Sequence, residues 1–254
     1  MKVKNILISQ TPPADFEKTP YADLKRKYSV NFDFYKFFKI ESVTTREFRD
    51  TKVNLLNYTA IVFSSKNTID HFFSLIKELR VEMPEAMKYF CTTEATALYL
   101  QKYIAFRKRK IFFTKNSSME AILDLFAKNK DLKYLIPCST DSLGSPYDDF
   151  FRQNDIEFSQ AIVFKTVPAD LKSDIDISKY DMIVFFSPSG IRSLRYNFPD
   201  FEQGEIAFGA LGHAVAEAIE AEGWTVHAMA PTPECPSITA AMDIYLKNHA
   251  TKRR

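Results

Sequence analysis

Glycine is scarce: six residues in 254, at positions 144, 190, 204, 209, 212 and 223, against a usual share of about 7%. No three of them fit GxGxxG, and GxxxxGK(S/T) is absent, which excludes the glycine loops that cradle dinucleotide and Walker-type phosphates. Cysteine is scarcer still. Cys91, Cys138 and Cys235 are odd in number, far apart and without a CxxC, so they read as buried thiols of a reducing cytoplasm. His71, His213, His227 and His249 show no HExxH spacing, and neither a metal nor a cofactor is expected. Excess charge is also missing: 34 basic against 32 acidic side chains leave +2, too little for a protein built to grip a nucleic-acid backbone. No apolar run approaches the ~18 residues of a membrane span. The strand-like N-terminal run KNILIS is too short for a signal segment, which favours a cytoplasmic location and argues against a periplasmic-binding-type module.

What is present is alternation. Strand-like runs at 4–9, 58–65, 88–92, 110–114, 133–138, 181–187, 206–211 and 225–230 are each followed by a helical stretch of about ten residues. That pattern predicts βα units on parallel sheets. Runs such as IVFF, apolar on both faces, fit sheets covered on both sides. Phe34–Val43 reads as one extended aromatic stretch, and Phe158–Val167 as a strand with no helix behind it. Hydrophobic residues at 46% and charged residues at 26% allow ordinary globular cores.

Two echoes suggest duplication. Tyr58-x-x-Ile61-Val62-Phe63-x-Ser65-x-x-x-Ile69 returns 122 residues later as Tyr180-x-x-Ile183-Val184-Phe185-x-Ser187-x-x-x-Ile191. Ser118–Phe126 returns 119 residues later as Ser237–Tyr245. Two α/β domains of one pattern are therefore expected.

The turns after the strands are rich in hydroxyls: Ser64–Thr68, Thr92–Thr96, Thr114–Ser118, Cys138–Thr140 and Ser187–Gly190. Taken singly, each reads as a helix N-cap, worth about 1 kcal/mol. Taken together and facing one cleft, they would form a surface of neutral donors suited to a ligand with many carboxylates.

At Val184–Leu194 the run VFFSPSGIRSL resembles the uroporphyrinogen-III synthase family. Gly209–Gly212, the closing APTPECPS at Ala230–Ser237 and Ala95-Thr96-Ala97 add to the likeness. It extends over essentially the whole chain and is nearest to Bacteroidetes versions, through KYF, ALYLQKYI, RKRKIF and NFPDFEQG. The resemblance implies two similar parallel-sheet α/β domains joined by a two-strand linker, one inserted in the other. Residues 1–38 with 168–254 would form one domain and 39–167 the other, with linker strands at about 34–43 and 161–167. It further implies a monomeric lyase that binds hydroxymethylbilane between its domains. Such an enzyme loses water from the substrate, inverts ring D and releases uroporphyrinogen III for heme biosynthesis.

Carried onto this sequence, the substrate-binding residues would be Ser64, Ser65, Thr93, Thr96, Ser139, Ser187, Ser189 and Gly212. Two positions depart from the family pattern. Phe164 stands where the family often has a tyrosine proposed as proton donor, and His213-Ala214-Val215 replaces Pro-Thr-Thr. His213 is then the candidate donor. The alternative is a non-catalytic relative that binds a tetrapyrrole or polycarboxylate as sensor or carrier. Lys102 with the Arg107–Lys110 cluster reads as a solvated face, Thr251–Arg254 as a soluble tail, and Tyr147, Asp148 and Asp149 as a helix start that suits the macrodipole.

Overall fold

The computed structural model describes residues 2–107, 109–115, 118–142, 144 and 147–249. It divides into two compact units. Unit 1 comprises Met1–Lys39 and Val167–Arg254, and unit 2 is Ile40–Thr166. The chain leaves unit 1 once and returns once.

Unit 1 opens with β1 (Asn5–Ile8), α1 (Pro20–Tyr28) and β2 (Asn31–Phe34). The crossing strand β3 (Phe38–Ser42) leads into unit 2, with α2 (Thr45–Asp50), β4 (Ala60–Phe63), α3 (Lys66–Leu79), β5 (Lys88–Cys91) and α4 (Glu94–Tyr99). Unit 2 continues with β6 (Ile111–Phe113), α5 (Met119–Ala127), β7 (Tyr134–Ser139) and α6 (Asp148–Gln153), and the returning strand is β8 (Phe158–Pro168). Unit 1 is completed by α7 (Leu171–Asp174), β9 (Met182–Phe185), α8 (Pro188–Asn197), β10 (Ala207–Leu211), α9 (His213–Ala221), β11 (Val226–Ala230) and α10 (Ile238–His249).

The five-stranded sheet of unit 1 runs β11-β10-β9-β1-β2, and the six-stranded sheet of unit 2 runs β3-β8-β7-β4-β5-β6. Pairing is parallel from β11 to β2 and from β8 to β6. The 122-residue echo carries Ala60–Phe63 onto Met182–Phe185, so β4 and β9 are counterparts. Their surroundings agree: β6-β5-β4-β7-β8 in one sheet has the same order as β11-β10-β9-β1-β2 in the other.

Both central strands are buried along their whole length. In β4, Ile61 and Phe63 face one core while Ala60 and Val62 face another. β9 does the same with Ile183 and Phe185 against Met182 and Val184. This strict alternation is the period-2 geometry of a strand with helices on both sides. The aromatic surplus fills these layers. Phe126, Tyr134 and Phe151 pack with ring centroids 4.8–5.3 Å apart. Trp224 wedges against Phe201 and Phe208 with the Arg195 guanidinium 4.5 Å over its ring.

Two expectations need correction, and a third, the linker, gains a structural detail. Phe34–Val43 is not one strand. β2 ends at Phe34, and the chain bends at Tyr35–Phe37 before β3 starts. The bend is fixed by Phe37, fully buried edge-on against Phe185, whose carbonyl accepts bonds from the Ala169 N–H and the Ser193 hydroxyl. The two linker stretches are also full members of a sheet, since β3 and β8 are neighbours in the six-stranded one. Finally, the helical stretch of about ten residues expected after 88–92 is α-helical only over Glu94–Tyr99 and tightens into a 3₁₀ turn at Leu100–Lys102.

Candidate functional site

In a parallel sheet every strand delivers its last residue to the same edge, next to the first turn of the following helix. In unit 2 this carboxyl edge gathers the turns after β4, β5, β6 and β7. Ser65 caps α3: its Oγ accepts the Thr68 N–H at 3.2 Å and lies 2.7 Å from Thr68 Oγ1. Thr93 repeats this on α4, with the Thr96 N–H at 3.1 Å and Thr96 Oγ1 at 2.8 Å. Thr96 is itself buried, so that hydroxyl belongs to the cap. Ser64 is exposed, and its carbonyl accepts the Thr92 hydroxyl at 3.3 Å, which ties the two turns together. The turn of Thr114–Ser118 includes Asn116 and Ser117, which lie outside the described residues, as do Lys108, Pro146 and Thr251–Arg254.

A register shift between Cys138 and Ser139 sets Ser139 opposite Phe164 at the end of β7 and β8. Both are buried. Phe164 belongs to the apolar core and stacks on the His71 ring, centroids 4.8 Å apart. His71 Nδ1 lies 2.9 Å from Ser42 Oγ. Burial lowers the His71 pKa, an effect that Asp70 opposes. Next to them Lys165 reaches Glu47 at 2.5 Å.

Unit 1 presents a different carboxyl edge. Ser187 starts α8, and its side chain makes no cap bond. Ser189 Oγ accepts Arg192 Nη2 at 2.9 Å. Gly212 starts α9 at φ +94, a conformation that a side chain would strain, and its N–H donates to the Ala230 carbonyl at 2.6 Å. His213 follows as the first residue of α9 and is exposed. Beside Ser187 opens a cavity of about 370 Å³, lined by Ser9, Gln10, Thr11, Lys36, Phe38 and Phe186. Gly190 lets α8 approach closely here, because a Cβ on it would meet Phe185 at 3.3 Å and Ser9 Oγ at 3.7 Å.

Sequence reasoning missed Ser9, Gln10, Thr11 and Lys36. The first three form one more hydroxyl-bearing turn after a strand, so the same rule finds them. Lys36 sits in the bend between β2 and β3, inside the stretch expected to be one strand. Its ammonium lies 5.1 Å over the Phe38 ring and makes no ion pair among the described residues. A larger hollow of about 630 Å³ lies elsewhere, near the starts of β10 and β11, but Arg195 there is already held by Glu222 and by the carbonyls of Pro199 and Phe201. Tyr147, Asp148 and Asp149 do start a helix, α6, and within it Asp148 is buried beside Gln160 and Arg152, where burial raises its pKa.

Two parallel α/β units with hydroxyl-bearing turns at their strand ends define a two-domain α/β class of protein. The sequence profile described as "Uroporphyrinogen-III synthase HemD" matches residues 21–240, and the chain belongs to that family of cyclising enzymes of heme biosynthesis. Among solved structures, it is similar to uroporphyrinogen-III synthetase from Helicobacter pylori 26695, at 17% identity and TM-score 0.56, over 96% of this chain and 99% of that one. It is also similar to a mutant uroporphyrinogen III synthase from the extremely thermophilic bacterium Thermus thermophilus, at 12% identity and TM-score 0.52, over the same shares. Both likenesses concern the fold. No curated protein matches the sequence. No helix among the described residues is long and apolar enough to cross a membrane.

Proposed function

We propose that this chain is a working uroporphyrinogen-III synthase, a cytoplasmic and monomeric lyase that closes hydroxymethylbilane into uroporphyrinogen III with inversion of ring D. The observation that carries the reading is the family match over residues 21–240. The chemistry asks little of ionisable groups. A pyrrole nitrogen can push out the substrate hydroxyl, which leaves as water once protonated. The protein's main task is to hold a flexible octa-carboxylate in a cyclisable shape, which is catalysis by proximity and orientation.

In this reading the carboxylate arms are held by neutral donors. Ser187, Ser189 and Gly212 act from unit 1 and Ser64 and Ser139 from unit 2, where Ser65, Thr93 and Thr96 spend their hydroxyls on the caps of α3 and α4 and hold those turns in place. Lys36 adds one positive charge at the Ser187 cavity. His213, exposed at the start of α9, delivers the proton to the leaving hydroxyl. General-acid help of this kind is worth roughly 10²–10⁴ in rate.

The second reading, a non-catalytic tetrapyrrole or polycarboxylate binder, draws on Phe164, which puts a buried ring without a hydroxyl where the family often has a tyrosine. The test is to generate hydroxymethylbilane in situ with its upstream synthase, add the protein, and resolve the type I and type III isomers after oxidation. Type III above the spontaneous type I background supports the enzyme; tight binding with type I alone supports the binder. His213→Ala should slow type III formation by roughly 10²-fold. If that variant is unchanged while Phe164→Tyr accelerates the reaction strongly, His213 is not the donor.

A further inference from the structure

Unit 2 holds a second cavity at the opposite, amino edge of its sheet, where β5 and β6 begin. Its volume is about 400 Å³, within the roughly 300–1,000 Å³ of small-molecule sites. Tyr89, the second residue of β5, lines it at 4% exposure. Phe73, Met83, Met87 and Tyr103 supply further apolar wall, and Glu85, Arg107 and Lys110 sit around it.

Two polar groups line this cavity with few partners of their own. Tyr103 gives its hydroxyl to Asp70 at 2.5 Å, and Tyr99 does likewise at 2.8 Å. The Tyr89 hydroxyl has no hydrogen-bond partner among the described residues, and its oxygen stays accessible from the cavity although the ring is buried. Burial pushes its pKa up to about 12, so it remains an O–H donor. The other group is Lys110. Its side chain is only 18% exposed, against the solvated face expected of this basic cluster, and its nearest carboxylate is Glu85 at 3.7 Å. Glu85 is 79% exposed and already bonded to Arg107 at 2.8 Å. Lys110 thus has most of its side chain covered and its ammonium in one long ion pair with an exposed carboxylate.

A phenol donor beside a lysine ammonium suits an acidic head, and the stacked Phe73–Tyr103 pair, centroids 4.5 Å apart, offers a flat apolar wall. Glu82 and Glu85 line the cavity as well, so the acidic head has to seat at the Tyr89 and Lys110 side. We infer that this cavity binds a small aromatic carboxylate, with the carboxylate taken by Tyr89 and Lys110 and the ring laid among Phe73, Met87 and Tyr103. The site is independent of the tetrapyrrole reading, since it lies at the other end of β5 from Thr93.

The experiment is calorimetric titration of the full-length protein with 1-naphthoate, and with the neutral isostere 1-naphthamide as control. Naphthoate should bind saturably and at least tenfold tighter than the amide. Tyr89→Phe and Lys110→Met should each weaken naphthoate by roughly tenfold or more, the scale of a hydrogen bond to a charged group, and leave the amide unchanged. Tyr89→Phe keeps the buried ring, and Lys110 sits at the rim, so thermal melts should show both variants folded. Absence of saturable naphthoate binding at millimolar concentration, equal binding of the amide, or indifference to both substitutions would overturn the assignment.

Discussion

Ser65 and Ser187 are counterparts, 122 residues apart, each closing a central strand and opening the next helix. Ser65 folds its hydroxyl back onto the Thr68 N–H; Ser187 caps nothing. The contrast holds for the next pair too, since α4 starts with a side-chain cap from Thr93 and α9 starts at Gly212 without one. It stops at the third pair, where Ser118 and Ser237 each accept the N–H three residues on, at 3.2 Å. Residue type therefore does not decide whether a strand-end serine serves the helix or a ligand; the direction of its hydroxyl does. By this measure the carboxyl edge of unit 1 is the more available for anions, and that of unit 2 the more self-satisfied.

The largest test of this difference is Gly212→Ala. Nothing lies within 4 Å of a Cβ at this position, so the cost comes from φ +94 alone. Such strain is of order 1–3 kcal/mol. The melting temperature should fall, and type III formation should fall with it because α9 is re-aimed. Next in size are the caps. Ser65→Ala and Thr93→Ala should each lose about 1 kcal/mol of stability in denaturant titrations, with the isomer ratio nearly kept. Ser187→Ala should do the reverse, staying within about 0.5 kcal/mol of wild type while raising KM in the coupled isomer assay. If Ser65→Ala raised KM and Ser187→Ala cost stability, the contrast between the edges would be broken.

The smallest effect concerns what pins the unit 2 edge near Phe164. The Lys165 hydrogen bond, followed by the Thr44 N–H and hydroxyl, lowers the Glu47 pKa from its ordinary 4.5 to about 2. A carboxyl depressed on folding contributes stability fully above its unfolded value and loses it as pH falls through the folded one. That contribution should be present above pH 4.5 and fade toward pH 2, and Glu47→Gln should flatten this part of the melting profile.

The βα alternation was readable because each central strand is apolar on both faces and each following turn carries its cap residue. β2 is hard to see because Asn31-Phe32-Asp33-Phe34 alternates as an edge strand does, half exposed, and merges in sequence with the aromatic run behind it. α2 carries its own signal, the capping box of Thr44 and Glu47, which is as legible in the sequence as any of the caps. The hydroxyl-bearing turns were visible, but not which hydroxyls point inward; that depends on side-chain rotation against neighbouring strands. Nor could the sequence reveal that a register shift aligns Ser139 with Phe164 or that His71 covers that ring.

The chain's single tryptophan, Trp224, lies in the core of unit 1, beneath the Arg195 guanidinium. Intrinsic indole emission therefore watches one lobe and is blind to the other, while far-ultraviolet dichroism averages over both. Comparing the two signals during denaturation gives an unlabelled way to tell whether the lobes melt together or in turn.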